Sequence, residues 1–143
     1  MPILNYTTSI AVEKSMGEVT AALARRGVTR ISTLFDDNGR PRGLGFTMKT
    51  DYGIAEFELP VRTEGVLKAM TKDSKVPRSS CTPAQAARVA WRIAKDWLEA
   101  QVALIDAELA SLDEVMMPYM IGNVKGETVY QIVVEQRMKA LTS

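Results

Sequence analysis

A chain of 143 residues with 46% hydrophobic and 24% charged side chains has ordinary globular composition and is large enough to bury one hydrophobic core. Its 18 basic and 17 acidic residues leave a net charge of +1, so no global field commits it to nucleic acid or to an anionic membrane. No run approaches the roughly 20 apolar residues that span a bilayer, no secretion signal opens the sequence, and the single cysteine, Cys81, has no internal disulfide partner; the expectation is a cytosolic protein with no membrane partner.

The expected organisation is one α+β domain over 1–143. A small antiparallel β-sheet, built as a β-meander with a flanking N-terminal helix, occupies 1–72. An exposed connection covers 73–82. A mainly helical part follows over 83–143, with a long amphipathic C-terminal helix and a short last element.

In chain order, residues 3–11 are rich in Thr, Tyr and Ile without helical spacing and read as a strand or extended arm. Ser15 followed by Glu18 has capping-box spacing and predicts a helix start; Met16, Val19, Ala22 and Leu23 share one of its faces, and Gly27 stands where a left-handed residue ends it. Three β-rich runs come next, over 28–35, 44–50 and 54–61. Asn38-Gly39 supplies the positive φ angles of a tight turn between the first two, and Asp51-Tyr52-Gly53 turns between the second and third. Strand alternation turns Phe57 and Leu59 toward the core and Ile54, Glu56 and Glu58 away from it, while Pro60 implies a strand end or an edge.

A short helix over 64–72, with Thr63 as its cap, precedes the connection, where Ser, Lys, Pro and Arg leave almost nothing to bury. Thr82-Pro83-Ala84-Gln85 then opens a helix with a capping Thr, Pro at the first helical position and Gln to complete the box. No Gly or Pro follows until Pro118, which predicts a helix of roughly 35 residues. Trp97 lies on its apolar stripe and is assigned to the core, whereas Trp91, off the stripe among Arg88, Arg92 and Lys95, is a candidate contact residue. The last element, over 128–141, fits a helix by its Val129, Ile132 and Val133 spacing and a strand by its β-branched content.

The absence of histidine removes Ser/His/Asp and Cys/His nucleophile activation and nearly all zinc and non-haem iron sites. Cys81 beside Ser79 and Ser80 has no base to activate it and reads as an incidental small residue. Asp36, Asp37 and Asn38 resemble a calcium loop only in part, lacking its closing Glu, and read as a solvated hairpin tip. Glu56 and Glu58, on one strand face, lack the further ligands that a magnesium site needs. Gly43 and Gly45 lack the following helix of a phosphate loop and mark a bulge or close backbone contact. No cofactor and no metal site is expected.

A weak charge asymmetry remains. Residues 1–88 carry 13 basic and 9 acidic side chains, the rest 5 and 8. Arg40, Arg42, Lys72, Lys75 and Arg78 would line a phosphate-binding surface if the first hairpin met the connection, with Tyr52 as a stacking residue. Ordinary solvated charges are the simpler account of the same residues. The wide apolar face of the long helix predicts a homodimer, because roughly 35 residues at 1.5 Å rise would extend about 52 Å, past a body roughly 37 Å across. Trp91, Leu109, Leu112 and Met116 are the interface candidates.

The stretch from Ala90-Trp91-Arg92-Ile93-Ala94-Lys95-Asp96-Trp97 to Met116-Met117-Pro118-Tyr119 resembles the C-terminal half of small uncharacterised proteins encoded by bacteriophages and prophages. The front half, with Asp36-Asp37-Asn38-Gly39-Arg40-Pro41, is similar in layout. The resemblance implies a phage accessory protein in the cytoplasm of the bacterial host and assigns no site residue. The functional expectation is thus a non-enzymatic protein that binds a macromolecular partner. The alternative is a nucleic-acid-binding protein of phage DNA metabolism using the basic hairpin and loop, and a third reading is a carboxylate and divalent-metal enzyme.

Overall fold

A computed structural model of the chain describes residues 3–142. Helix α1 (Val12–Ala24) precedes strands β1 (Val28–Phe35), β2 (Pro41–Thr50) and β3 (Gly53–Pro60). Helix α2 (Thr63–Lys72), a 3-10 turn at Arg78–Ser80 and α3 (Pro83–Asp106) follow. The chain closes with α4 (Leu112–Met116), a second 3-10 turn at Met117–Tyr119 and α5 (Val129–Thr142). The fold is α+β.

The strands form an antiparallel sheet in the order β1-β2-β3, as alternation and turn chemistry predict. Leu44 pairs with Thr33 and Leu59, and Phe46 with Ile31 and Phe57. Leu44, Phe46, Met48, Phe57 and Leu59 are buried on one face, while Ile54 on the other is 79% exposed. The Phe46 and Phe57 rings stack with centroids 5.0 Å apart. Val19 and Leu23 of α1, Trp91 and Leu98 of α3, and Leu112 and Met116 of α4 complete this core. Gly43 is required by close approach: a Cβ there would lie 2.5 Å from the Leu59 carbonyl oxygen.

Local sequence signals succeed where they close through backbone bonds. Thr82 caps α3, its hydroxyl accepting from the Gln85 amide at 3.1 Å, with Pro83 at the first helical position. Gly27 has φ 89° after α1, and Pro60 ends β3 at a sheet edge. The turn before β2 differs from a two-residue hairpin. Asp36 Oδ1 accepts from the amides of Asn38 and Arg40, and only Gly39 takes a positive φ, 77°.

Other signals are redirected by tertiary contacts. The capping-box spacing at Ser15 does not start α1, which begins at Val12 with no side-chain cap; Ser15 lies buried inside the helix. Residues 3–11 form no strand. Gln85 Nε2 donates to the carbonyls of Tyr6 and Thr8, both at 2.9 Å, and Asn5 donates to Asp96. That use of Gln85 replaces the second half of its expected capping box. Thr63 opens α2 but makes no capping bond. Val76, in the supposedly empty connection, is buried with Met70, Ala86 and Val89.

The largest correction concerns the long helix. Helix α3 is 24 residues long and ends at Asp106, and Glu108 takes φ 61°. A new helix starts at Ser111, whose hydroxyl accepts from the Glu114 amide while Glu114 accepts from the Ser111 amide. The break turns Leu112 and Met116 back onto the core. At 1.5 Å per residue α3 spans about 36 Å and does not overhang the body, which removes the basis of the dimer argument made for it.

Residues 128–142 form a helix from Val129. Thr128 and Gln131 cap it reciprocally: the Gln131 amide donates to the Thr128 hydroxyl at 3.2 Å, and the Thr128 amide donates to Gln131 Oε1 at 2.9 Å. No residue of α5 is buried.

Candidate functional site

Of the two tryptophans, Trp91 departs from its expected place, while Trp97 packs against the core as expected. Trp91 is fully buried and its Nε1 donates to the Pro41 carbonyl at 3.3 Å. Trp97 is half-buried and packs edge-on against Tyr119, with centroids 6.3 Å apart. The cause is the sheet: β2 lies against the Trp91 side of α3, so the stripe drawn along the helix alone does not define its inner face. Of the four interface candidates, Trp91, Leu112 and Met116 therefore belong to the chain's own core. Leu109, 73% exposed in the break between α3 and α4, alone reaches solvent.

The basic candidates lie in three places. Arg40 and Arg42 are exposed at the β1–β2 end of the sheet, and Arg42 Nε donates to the Phe35 carbonyl. Tyr52, also exposed, lies in the β2–β3 turn, at the far end of a ten-residue strand and so about 30 Å away. Lys72 ends α2, which starts beside the Arg42 end and carries the chain about 15 Å from it; exposed Lys75 and Arg78 follow. The six residues are thus distributed over the two hairpin turns, the end of α2 and the connection that follows it. Glu56 and Glu58 face outward on β3, and among the described residues no three of Cys, Asp or Glu gather as metal ligands. Cys81 is half-buried, its thiol donating to the Pro77 carbonyl.

What the fold does assemble is an apolar cleft. Pro60 and Val61 leave the sheet, Val66 comes from α2, Ile93, Ala94 and Trp97 come from α3, and Tyr119 closes the far wall; the space is about 310 Å3. Met120 and Ile121 hold that wall in place by pairing with the edge of β3, the Ile121 amide donating to the Glu56 carbonyl at 2.7 Å. Arg62 is the one charged residue lining this part, and it has no ion pair among the described residues. Past Pro60, Arg62 and Tyr119 the cleft continues into a smaller hollow of about 100 Å3 bordered by Arg42, Glu58, Tyr130 and Gln131.

Helix α5 stands beside this cleft. Its first turn is its anchor: the Val129 amide donates to the Met120 carbonyl, and Ile132 and Val129 pack over Gly122. Tyr130 in that turn and Val133, Val134, Met138 and Leu141 beyond it are 41% to 76% exposed. At 100° per residue these five occupy one sector of about 140°, with Arg137 among them.

A charged network lies elsewhere, between α1 and α3. Arg92 reaches across to Ser15 and to both Glu18 oxygens, and Lys95 contacts Glu18, Asp96 and Glu99. The Arg92 hydrogen bond holds the Glu18 carboxyl below its ordinary value, helped by the charges of Arg92, Lys95 and Lys14 against a desolvation that opposes them. The hydrogen bond to Glu99 raises the Lys95 ammonium above its ordinary value. Opposite charges are matched in this groove, so it reads as the polar seam that docks α1 onto α3.

The sequence readings missed the cleft and the α5 face. The cleft has no sequence signature, since its walls come from four separate elements. The helix had one, the Thr128-x-x-Gln131 spacing, which marks a capped start. Among the described residues no helix is long and apolar enough to cross a membrane. No protein-family model matches the chain, and neither does any curated protein or solved structure.

Proposed function

We propose that the protein is a non-enzymatic accessory protein of phage or prophage origin that acts in the bacterial cytoplasm by binding a macromolecular partner. The observation that carries this reading is the apolar stripe of α5, five large side chains left in solvent next to an apolar cleft. Contiguous exposed apolar surface of this kind marks interaction sites in proteins that are otherwise well packed. A second copy of the chain is one such partner. Capture from a bacterial host lysate tests the reading. Immobilised wild-type protein retains a specific macromolecule, and the Val134→Glu, Met138→Glu double variant does not. Retention indifferent to that double variant sinks the proposal.

A second reading is nucleic-acid binding in phage DNA metabolism. It is favoured by the exposed Arg40, Arg42 and Arg62 near one end of the sheet, whose contacts would go to phosphates and carry no base readout. Gel-shift titration with single- and double-stranded DNA and RNA across a salt series separates the two. Binding that weakens steeply with salt supports this second reading, and no shift at low salt eliminates it.

A further inference from the structure

We propose that the protein binds a small apolar carboxylic acid as its anion, the carboxylate held by Arg42 and Arg62 in the hollow beside α5 and the apolar body lying in the Trp97–Tyr119 cleft. The inference goes beyond the partner-binding reading and does not rest on it, because that reading uses the exposed stripe of α5.

The first argument is unspent charge. Arg42 and Arg62 both line the hollow, and neither forms an ion pair among the described residues. Arg42 uses only Nε, on the Phe35 carbonyl, which steadies its stem and leaves its two terminal nitrogens as donors. The first turn of α5 forms another part of the wall. There the Thr128 amide donates to Gln131 Oε1, the Val129 amide to the Met120 carbonyl and the Gln131 amide to the Thr128 hydroxyl. The Tyr130 amide is left without an acceptor among the described residues, at the helix end where the backbone favours an anion. A planar guanidinium matches a carboxylate with paired N–H···O bonds.

The second argument is how much charge the hollow can balance. Glu58 also lines it and is likewise without an ion pair. Two guanidiniums and one carboxylate leave a charge of +1, which a monoanion neutralises; a phosphate dianion would bring excess negative charge beside Glu58.

The third argument is the shape of the two spaces together. Pro60, Arg62 and Tyr119 line both, so one molecule can occupy both. The hollow, about 100 Å3, admits a small polar head, and the cleft, about 310 Å3, lies at the lower end of the roughly 300–1,000 Å3 usual for small-ligand sites. Apart from Arg62 the cleft wall is apolar, with Val66, Ile93 and Trp97 as its large side chains; Tyr119 closes it. An apolar wall with a few polar groups at one end is how pockets orient small ligands.

The probe is phenylpropanoate, titrated into the full chain by calorimetry and followed by NMR. Saturable binding with a Kd on the order of 0.1–1 mM is expected, with the Trp97 indole and Arg62 amide signals moving on the same isotherm. Phenylpropanamide, which keeps the body without the charge, and acetate, which keeps the charge without the body, should each bind at least about tenfold more weakly. Arg62→Gln should weaken the acid by at least about tenfold at an unchanged urea midpoint, since the exposed Arg62 side chain makes no bond within the described chain. No saturable binding by about 10 mM overturns the proposal, and so does an amide that binds as well as the acid or an Arg62→Gln variant that binds it unchanged. Tighter binding of phenyl phosphate overturns the carboxylate assignment, and binding of a peptide ending in Phe without binding of the free acid overturns the small-ligand one. The partner-binding reading fails or stands separately, on the Val134→Glu, Met138→Glu double variant.

Discussion

Replacing Glu108 with glycine should stabilise this protein, although the same change inside a helix would destabilise it. Glu108 sits at φ 61° between α3 and α4, and its exposed side chain makes no ion pair or hydrogen bond among the described residues, so its removal sacrifices no contact. A left-handed conformation costs a residue with a Cβ roughly 1–2 kcal/mol. Glycine avoids that strain but brings extra freedom to the unfolded chain, which takes back about 0.4–1 kcal/mol. The net expectation is a gain of about 0.5–1 kcal/mol, read as a higher urea midpoint at unchanged slope. Were residues 83–116 one continuous helix, glycine at 108 would instead cost up to about 1 kcal/mol. The sign alone decides. A lower midpoint for Glu108→Gly would refute the broken helix, and with it the route by which Leu112 and Met116 reach the core.

Gly43→Ala should cost about 2–3 kcal/mol, because its Cβ would meet the Leu59 carbonyl oxygen at 2.5 Å and backbone cannot yield as a side chain can; a urea titration checks it. Leu109→Glu, at a 73% exposed position, should change neither stability beyond about 0.5 kcal/mol nor association, whereas Leu112→Glu, at a buried one, should unfold the chain rather than dissociate it, as circular dichroism would show. Trp91→Phe should leave the emission of partly buried Trp97, to the red of that left by Trp97→Phe, which reports the fully buried Trp91. The Glu18 carboxyl, lowered from 4.5, contributes stability that is present above that value and lost as pH falls through its lower folded pKa; Lys95, raised from 10.5, contributes below that value and loses it as pH rises through its higher folded pKa. Urea midpoints should therefore fall outside this window, and Glu18→Gln should flatten the acid side.

What the sequence determined by itself was whatever closes within a few residues. The β2–β3 hairpin, the burial alternation of β3, the Thr82-Pro83 start of α3 and the left-handed Gly27 each rest on backbone bonds or dihedral limits that neighbouring residues set. Even the break in the long helix was written locally, in the Ser111-x-x-Glu114 box, but an uninterrupted run of good helix formers outweighed it. The tertiary structure decided which of several local options was used. Ser15 and Glu18 have the spacing of a cap, yet Arg92, 77 and 74 residues away, draws both into the seam between α1 and α3. Trp91 lies among charged neighbours in sequence, and the sheet packed against it makes it core; the same packing leaves Trp97 to line the cleft. The cleft itself is long-range, since its walls meet only when β3, α2, α3 and the turn before α5 assemble. Burial is a property of the assembled surface, and a periodic pattern gives the apolar stripe of a helix without saying what, if anything, covers it.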